Sequence, residues 1–235
     1  PVGVILINEV NRMAQTIAAI ATASANAGMG VIRISGDEAA TVADKVFKAA
    51  SGQKVADMQG YTAAYGQVFD ADGKVDEAVA LRFVAPKSYT GEDVVELSVH
   101  GGRIVLKSVL RAVLSAGADL ADAGEFTKRA FLNGKMGLTQ AEAVMDLISA
   151  QGSHGAKAAL SAREGAIYRK IHGVANQLLG ISAGLAAWTD YPDEDIEDFG
   201  LQNYYGNLRK NAKELYALLQ TYGQGQILRQ GVAAA

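Results

Sequence analysis

The spacing of apolar residues changes along this chain, from strand-like runs in the first half to helix-like stripes in the second. Runs rich in Ile and Val at 16–21 and 30–34 predict two strands separated by a loop of small residues. Residues 61–85 alternate apolar with polar positions around Asp72-Gly73, which predicts a hairpin. The sequence VVELSV at 94–99 predicts one more strand.

Two helices are predicted among these strands. The first runs from Glu38 to Ala50. The second carries an amphipathic stripe closed by Gly117, and its apolar positions are Leu106, Val109, Leu110, Val113 and Leu114. Strands and helices together predict a mixed α+β domain at residues 13–133.

The pattern that follows predicts an all-α segment at residues 134–231. Thr139 and Glu142 have the spacing of a capping box at the start of its first helix. Segments rich in Ala and Leu at 156–188 and 204–222 predict further helices. The chain is therefore expected to have an α+β domain followed by a helical domain.

An acidic segment, TDYPDEDIEDF, separates the last two of these helical segments. It holds six carboxylates between Asp190 and Asp198, which is typical of a solvated loop before a helix N-terminus. A metal site is the sharper alternative, but the spacing matches no Ca²⁺ loop. We therefore favour the solvated loop.

Composition narrows the class of protein. The 235 residues carry a net charge of -3, so the whole chain is not a general binder of polyanions. The absence of cysteine excludes a disulfide framework and a thiolate metal site. No stretch has the length of a membrane span and no signal-peptide pattern occurs, so we predict a cytoplasmic protein without membrane contact. Residues 1–12 precede Met13 and are interpreted as a remnant outside the folded protein.

Three charged side chains are candidate ligand contacts. Glu96 lies on the strand face opposite Val95 and Leu97, so it points either to solvent or into a cleft, where a carboxylate accepts two parallel N–H bonds. Arg33, flanked by apolar residues, is either an ion-paired structural arginine or a group that grips a ligand carboxylate. Lys135 follows an Asn-Gly turn and is either an exposed loop lysine or a contact for an anion.

A His-Gly-Gly sequence at 100–102 opens the second predicted helix. Free backbone N–H groups and the helix dipole at such a terminus favour an anion, and glycine allows close approach. Gly-Gly pairs before helices are common, so this sequence alone is a weak signal.

Five segments, in order, resemble the tRNA-uridine modification GTPases of the MnmE or TrmE family. They are TIAAIATA, GVIRISG, YTGEDVVELSVHGG, GEFTKRAFLNGKMGLTQAEAVMDLISA and DYPDED, and the similarity extends from about Thr16 to Val232. The resemblance implies an aminomethyltransferase-like, folate-binding domain that dimerises, followed by a helical domain into which a GTPase domain is inserted. It carries the folate contacts onto Arg33, Glu96 and Lys135.

The resemblance also implies a reaction and its partners. A homodimer in this family acts with an FAD-containing partner protein of the MnmG or GidA type on the wobble uridine of tRNA. The product carries an aminomethyl or carboxymethylaminomethyl group at C5, and a 5-formyl or 5,10-methylene derivative of tetrahydrofolate supplies the carbon. GTP hydrolysis, with potassium and magnesium, drives conformational change. For this chain itself we expect folate binding and dimerisation, with no catalytic residue and no metal site.

The chain departs from the family pattern at two places. The first loop reads ATASANAGMG where the family usually carries proline, glycine and arginine, and Gly137 stands where an acidic residue is usual. The altered first loop supports an alternative, a non-catalytic dimerisation module whose ligand pocket is vestigial. Residues 232–235 are interpreted as the start of a GTPase domain outside this chain. No G-x-x-x-x-G-K-[ST] motif occurs, so this chain alone is not expected to bind GTP.

Overall fold

The computed structural model describes residues 15–23, 27–150, 152–190 and 201–221. The chain divides after Lys135 into two compact units, called here the N-terminal unit and the helical unit. The N-terminal unit is α+β and the described part of the helical unit is all-α, which confirms the predicted fold class. The predicted remnant, the acidic segment after Asp190 and the C-terminal four residues lie outside the described ranges.

A seven-stranded sheet organises the N-terminal unit. The strands are β1 Ile17–Ile20, β2 Met29–Ser35, β3 Phe47–Ala49, β4 Thr62–Asp70, β5 Gly73–Phe83, β6 Val94–His100 and β7 Asp119–Leu120. Their order in the sheet is β3-β4-β5-β6-β2-β1-β7. β1 and β7 pair in parallel, and the other neighbours pair antiparallel. The strands predicted at 16–21, 30–34 and 94–99 and the hairpin predicted at 61–85 are all confirmed.

The core of this unit lies on one face of the sheet. The helices of the unit are α1 Ala39–Val46, α2 Arg103–Ser115 and α3 Glu125–Leu132. Alternate residues of β2 and β6, among them Ile32, Ile34 and Leu97, are fully buried and pack in one cluster with Val109 and Val113 of α2. Each such side chain contributes about 1.5–3 kcal/mol through burial. The intervening strand residues must therefore lie on the opposite face of the sheet.

The prediction of a helix from Glu38 to Ala50 is wrong for its last residues. α1 ends at Val46, and the next three residues form β3, in which Phe47 pairs with Val68 of β4. Phe47 is buried in the core, and this burial and the strand pairing outweigh the local helix propensity. Gly66 makes the pairing possible, because a Cβ atom there would lie 2.2 Å from a backbone oxygen of β3.

The β4–β5 hairpin turns where the sequence predicts it. Asp70 Oδ1 accepts hydrogen bonds from the backbone N–H groups of Asp72 and Gly73, at 2.9 and 3.1 Å. Gly73 has a φ of 130°, a conformation that L side chains rarely adopt. The Asp-Gly pair thus sets the register of the hairpin.

The described helices of the helical unit are α4 Leu138–Ser149, α5 Ser153–Arg163, α6 Ala166–Asp190 and α7 Leu201–Gln220. The segment predicted at 156–188 is helical but is interrupted at Gly165, which has a φ of 80°. The predicted capping box is displaced: α4 is capped at Gly137, whose N–H donates to Gln140 Oε1 at 2.8 Å. Among the helices of the described ranges, none has the length and apolar character needed to cross a membrane.

Candidate functional site

Arg33 and Glu96 form an ion pair on the sheet face opposite the core. They are direct partners in the β2–β6 register, and directly opposed side chains on neighbouring strands lie within contact distance. Arg33 Nε donates to Glu96 Oε1 at 2.8 Å, and Arg33 Nη2 lies 2.7 Å from the same oxygen. The side chains are 26% and 21% exposed. Glu96 is therefore partly shielded from solvent, and Arg33 is ion-paired, as one of the two alternatives for it predicted.

Two aromatic rings flank the Arg33 guanidinium. Arg33 Cζ lies 5.4 Å from the ring centroid of Tyr89 and 5.5 Å from that of Phe126, within range of a cation–π attraction. The Tyr89 hydroxyl is 2.8 Å from Thr127 Oγ1, so the loop that carries Tyr89 is fastened to α3. The guanidinium is thus held by one carboxylate and two rings, and its position is well defined.

Glu96 keeps hydrogen-bonding capacity in this arrangement. Both Arg33 contacts use Oε1, and Oε2 accepts no hydrogen bond from the described residues. On β5, the half-buried Leu81 lies directly opposite Glu96 and places an apolar side chain beside the carboxylate. A planar heterocycle with adjacent N–H groups matches this combination, because the carboxylate accepts the donors while the ring contacts apolar surface.

Lys135 lies apart from this ion pair. Its Nζ donates to the carbonyl of Pro86 at 2.8 Å, and it contacts neither Arg33 nor Glu96 within the part of the chain that the structure describes. Its side chain packs beside Gly91, and both Pro86 and Gly91 belong to the connection between β5 and β6. The structure therefore brings two of the three predicted residues into contact and attaches the third to the neighbouring loop.

A buried polar network that was not predicted from the sequence underlies the same loop, residues 85–93. Arg129 of α3 is 1% exposed, and its Nη1 lies 3.1 Å from Glu92 Oε1 while its Nη2 lies 3.3 Å from Glu125 Oε1. Ser35 Oγ donates to Glu92 Oε2 at 2.7 Å, which links the loop to β2. The spacing of Glu125 and Arg129, four residues apart on a helix, is the one sequence signal that pointed to this network.

The close approach of neighbouring backbone explains why residue 101 is a glycine. A Cβ atom at Gly101 would lie 2.4 Å from the Ala27 carbonyl oxygen and 2.8 Å from that of Met29. Gly102 forms the N-cap of α2, and a Cβ atom there would come no nearer than 3.8 Å to Val105. The first glycine of the pair is therefore required by the close passage of the chain before β2, and no anion is needed to explain it.

His100, at the end of β6, is paired with Asp76 of β5. The backbone N–H of His100 donates to Asp76 Oδ2 at 2.8 Å, and the imidazole Nδ1 lies 2.7 Å from Asp76 Oδ1. The hydrogen bond to Asp76 raises the pKa of His100 above its ordinary value. Burial tends to raise the pKa of Asp76, but the hydrogen bonds from His100 and from the Glu77 backbone, together with the charge of His100, outweigh burial and lower that pKa. Each residue thus favours the charged form of the other.

We expect an NMR titration to show a His100 pKa above the ordinary value of about 6.5. Because the folded-state pKa is raised, the stabilisation by protonated His100 is present below the unfolded-state pKa and is lost as the pH rises through the folded-state pKa. Asp76→Asn should lower the His100 pKa toward the ordinary value. An unchanged His100 pKa in Asp76→Asn would show that the carboxylate is not the cause.

Comparisons with known proteins find similarity to the same family in both units. Residues 16–135 match the family model described as the GTP-binding protein TrmE N-terminus, and residues 138–233 match the model of the MnmE helical domain. A "tRNA modification GTPase MnmE" from Alkaliphilus metalliredigens is 42% identical over 219 residues, which is 92% of this chain and 48% of the relative. Proteins of the same name from Clostridioides difficile and Geobacter sulfurreducens are 42% and 41% identical, over 92% and 93% of this chain and 47% and 48% of theirs. The chain spans about half the length of these curated relatives.

Proposed function

The chain belongs to the MnmE family of tRNA modification GTPases, and from this premise we propose that it supplies the tetrahydrofolate site of a tRNA-modifying enzyme. The observation that carries the proposal is the half-buried Arg33–Glu96 pair, in which one carboxylate oxygen is left without a partner among the described residues. A binding site for a donor-rich heterocycle needs such an acceptor in a partly desolvated place. A vestigial pocket needs no such acceptor.

In the proposed complex, Glu96 accepts two N–H bonds from the amino and ring N–H edge of the pterin. Arg33 orients the carboxylate, because its planar guanidinium contacts Glu96 through two N–H groups and lies against the rings of Tyr89 and Phe126. Lys135 provides a positive charge on the neighbouring loop for a polar or glutamyl part of the folate. The chain's own residues thus bind and orient the cofactor, and the bound folate supplies a one-carbon unit.

For the whole protein we propose the activity that the family name describes. A 5-formyl or 5,10-methylene tetrahydrofolate would supply the carbon of an aminomethyl or carboxymethylaminomethyl group on the wobble uridine of tRNA. GTP, potassium and magnesium would be bound by the GTPase domain, and FAD by a partner protein of the MnmG or GidA type. A cytoplasmic location is part of the same proposal. The family membership supports these statements.

Calorimetry with 5-formyltetrahydrofolate tests the proposed site. We expect binding to the 235-residue chain with a Kd in the micromolar range, about 8 kcal/mol of binding free energy. A 2-desamino analogue, which lacks one donor to Glu96, should bind about ten- to a hundredfold more weakly. Absence of heat at millimolar ligand would contradict the proposal and favour the alternative of a dimerisation module with a vestigial pocket.

We also propose that the protein forms a homodimer through the N-terminal unit, as the family resemblance implies. A closed two-fold interface uses the same surface of both chains, so dimerisation should saturate without forming larger assemblies. Sedimentation equilibrium at tens of micromolar, the range expected for a modest interface, should give twice the 24.5 kDa mass of the chain. A monomer mass throughout that range would contradict this proposal.

A further inference from the structure

The Arg129 guanidinium joins three separate segments of the N-terminal unit. Its Nη1 donates to the Gln15 carbonyl at 2.8 Å and to both Glu92 oxygens at 3.1 and 3.3 Å, and its Nη2 donates to Glu125 at 3.3 Å. The Glu92 and Glu125 side chains are 12% and 8% exposed. A flat group with five N–H donors suits such a junction, because it binds several acceptors in fixed directions at once.

The network continues from Glu92 to the strand that carries Arg33. Ser35 lies two residues after Arg33 on β2, and its hydroxyl contacts both Glu92 and Thr90 Oγ1 at 2.7 Å. The same stretch of loop holds Tyr89, whose ring lies against Arg33. The 85–93 loop is therefore bound to the network through Thr90 and Glu92, and it contacts Arg33 of the proposed ligand site through Tyr89.

The end of α3 is fixed to the same loop. Asn133 Nδ2 donates to the Thr90 carbonyl at 2.8 Å, and Lys135 Nζ donates to the Pro86 carbonyl at 2.8 Å. At the other end of this short helix, Phe126 lies against Arg33. A shift of α3 relative to the loop would move the aromatic flank of Arg33 and the Lys135 side chain together.

Stability alone is a weak reason for a buried arginine between two carboxylates. Removing these charges from water is costly, and apolar replacements of such groups are often neutral or stabilising. We propose that Arg129 is a positioning residue for the proposed folate site: it fixes the 85–93 loop and α3 in the arrangement that the Arg33–Glu96 pair requires. The proposal rests on the proposed function for its ligand, but its geometric part is independent of any ligand.

The geometric part is tested on the 15N-labelled chain without ligand. The Arg33 Nε–Hε resonance, assigned by its loss in Arg33→Lys, reports the ring currents of Tyr89 and Phe126. In Arg129→Lys, which keeps the charge but loses the planar fork, we expect this resonance to move toward the position of solvent-exposed arginines. Val109→Ala is the control, because it weakens the buried core on the other face of the sheet and should leave the resonance in place.

The ligand part uses titration of the same variants with 5-formyltetrahydrofolate. We expect Arg129→Lys to weaken binding about ten- to a hundredfold, because small misplacements of binding groups have effects of that size, and Val109→Ala to leave the affinity unchanged. If wild type binds no folate while the Arg33 resonance still moves in Arg129→Lys, the proposed function fails and the positioning role stands.

An Arg33 resonance that stays unchanged in a folded Arg129→Lys protein would overturn the proposal, whatever its effect on stability. If that variant does not fold, Glu92→Gln takes its place, since it keeps the shape of the side chain and removes one charge from the network. It should also displace the Arg33 resonance and weaken folate binding. A wild-type spectrum and affinity in Glu92→Gln would equally overturn the positioning role.

Discussion

Glu96→Gln is expected to weaken the binding of 5-formyltetrahydrofolate by roughly 2–4 kcal/mol, about thirty- to a thousandfold, while the fold persists. The amide has almost the shape of the carboxylate, but one acceptor oxygen becomes an NH₂ donor that faces a donor of the pterin. Arg33 also loses the charge of its partner in a half-buried place. Both changes oppose binding, and neither disturbs the buried face of β6.

Titration of wild type and Glu96→Gln measures this effect, and thermal melts confirm that both proteins are folded. Glu77→Gln is a matched control, because Glu77 is an exposed glutamate on the neighbouring strand β5. Its substitution should change folate affinity by no more than about 0.5 kcal/mol, as surface substitutions usually do. Equal affinities of wild type and Glu96→Gln would remove Glu96 from the site.

Gly101→Ala is expected to lower the free energy of unfolding by roughly 2–4 kcal/mol. The new methyl group would lie 2.4 and 2.8 Å from two carbonyl oxygens of the segment that enters β2. Backbone atoms cannot turn aside as a flexible side chain does, so the segment before β2 must move away from the end of β6. The hydrogen bond from the Ala27 N–H to the Gly101 carbonyl would be lost with it.

The neighbouring glycine provides the control for this substitution. Gly102→Ala places the same methyl group where the nearest atom is 3.8 Å away, in ordinary contact, and should cost no more than about 1 kcal/mol through the weaker N-cap. Urea denaturation of the two variants, analysed with a common slope, gives both values. Similar losses of stability in the two variants would refute the explanation by close chain passage.

Most of the fold could be predicted from the sequence, because a strand or helix with one buried face repeats its apolar residues with the period of that element. β2 is rich in Ile and Val, β6 alternates buried and partly exposed residues from Val95 to Val99, and α2 has a clear apolar stripe, so each element was identified in its place. β3 was not, since Phe47–Ala49 is too short to show a period and its strand conformation depends on pairing with β4. Contacts between segments that are distant in the sequence determine the conformation of so short a strand. A local sequence pattern carries no information about those contacts.

The same limit applies to the candidate site. Alternation places Glu96 and Arg33 on the faces opposite the core, but their contact depends on the register between strands 63 residues apart. Tyr89 and Phe126 lie in a loop and on a short helix, where no period indicates which way a side chain points. The structure adds these aromatic neighbours and the buried network beneath them, while the role of Arg33, Glu96 and Lys135 in folate binding stays a prediction.

The register of β2 against β6 has a further consequence for how this site tolerates change. A slip by one residue would bring Ile32 or Ile34 to the outer face and turn Arg33 into the core, because strand side chains alternate with a period of two. The apolar side chains that stabilise the sheet therefore also fix the register in which Arg33 pairs with Glu96. Insertions or deletions within either strand should abolish folding before they yield a folded protein with a misassembled site.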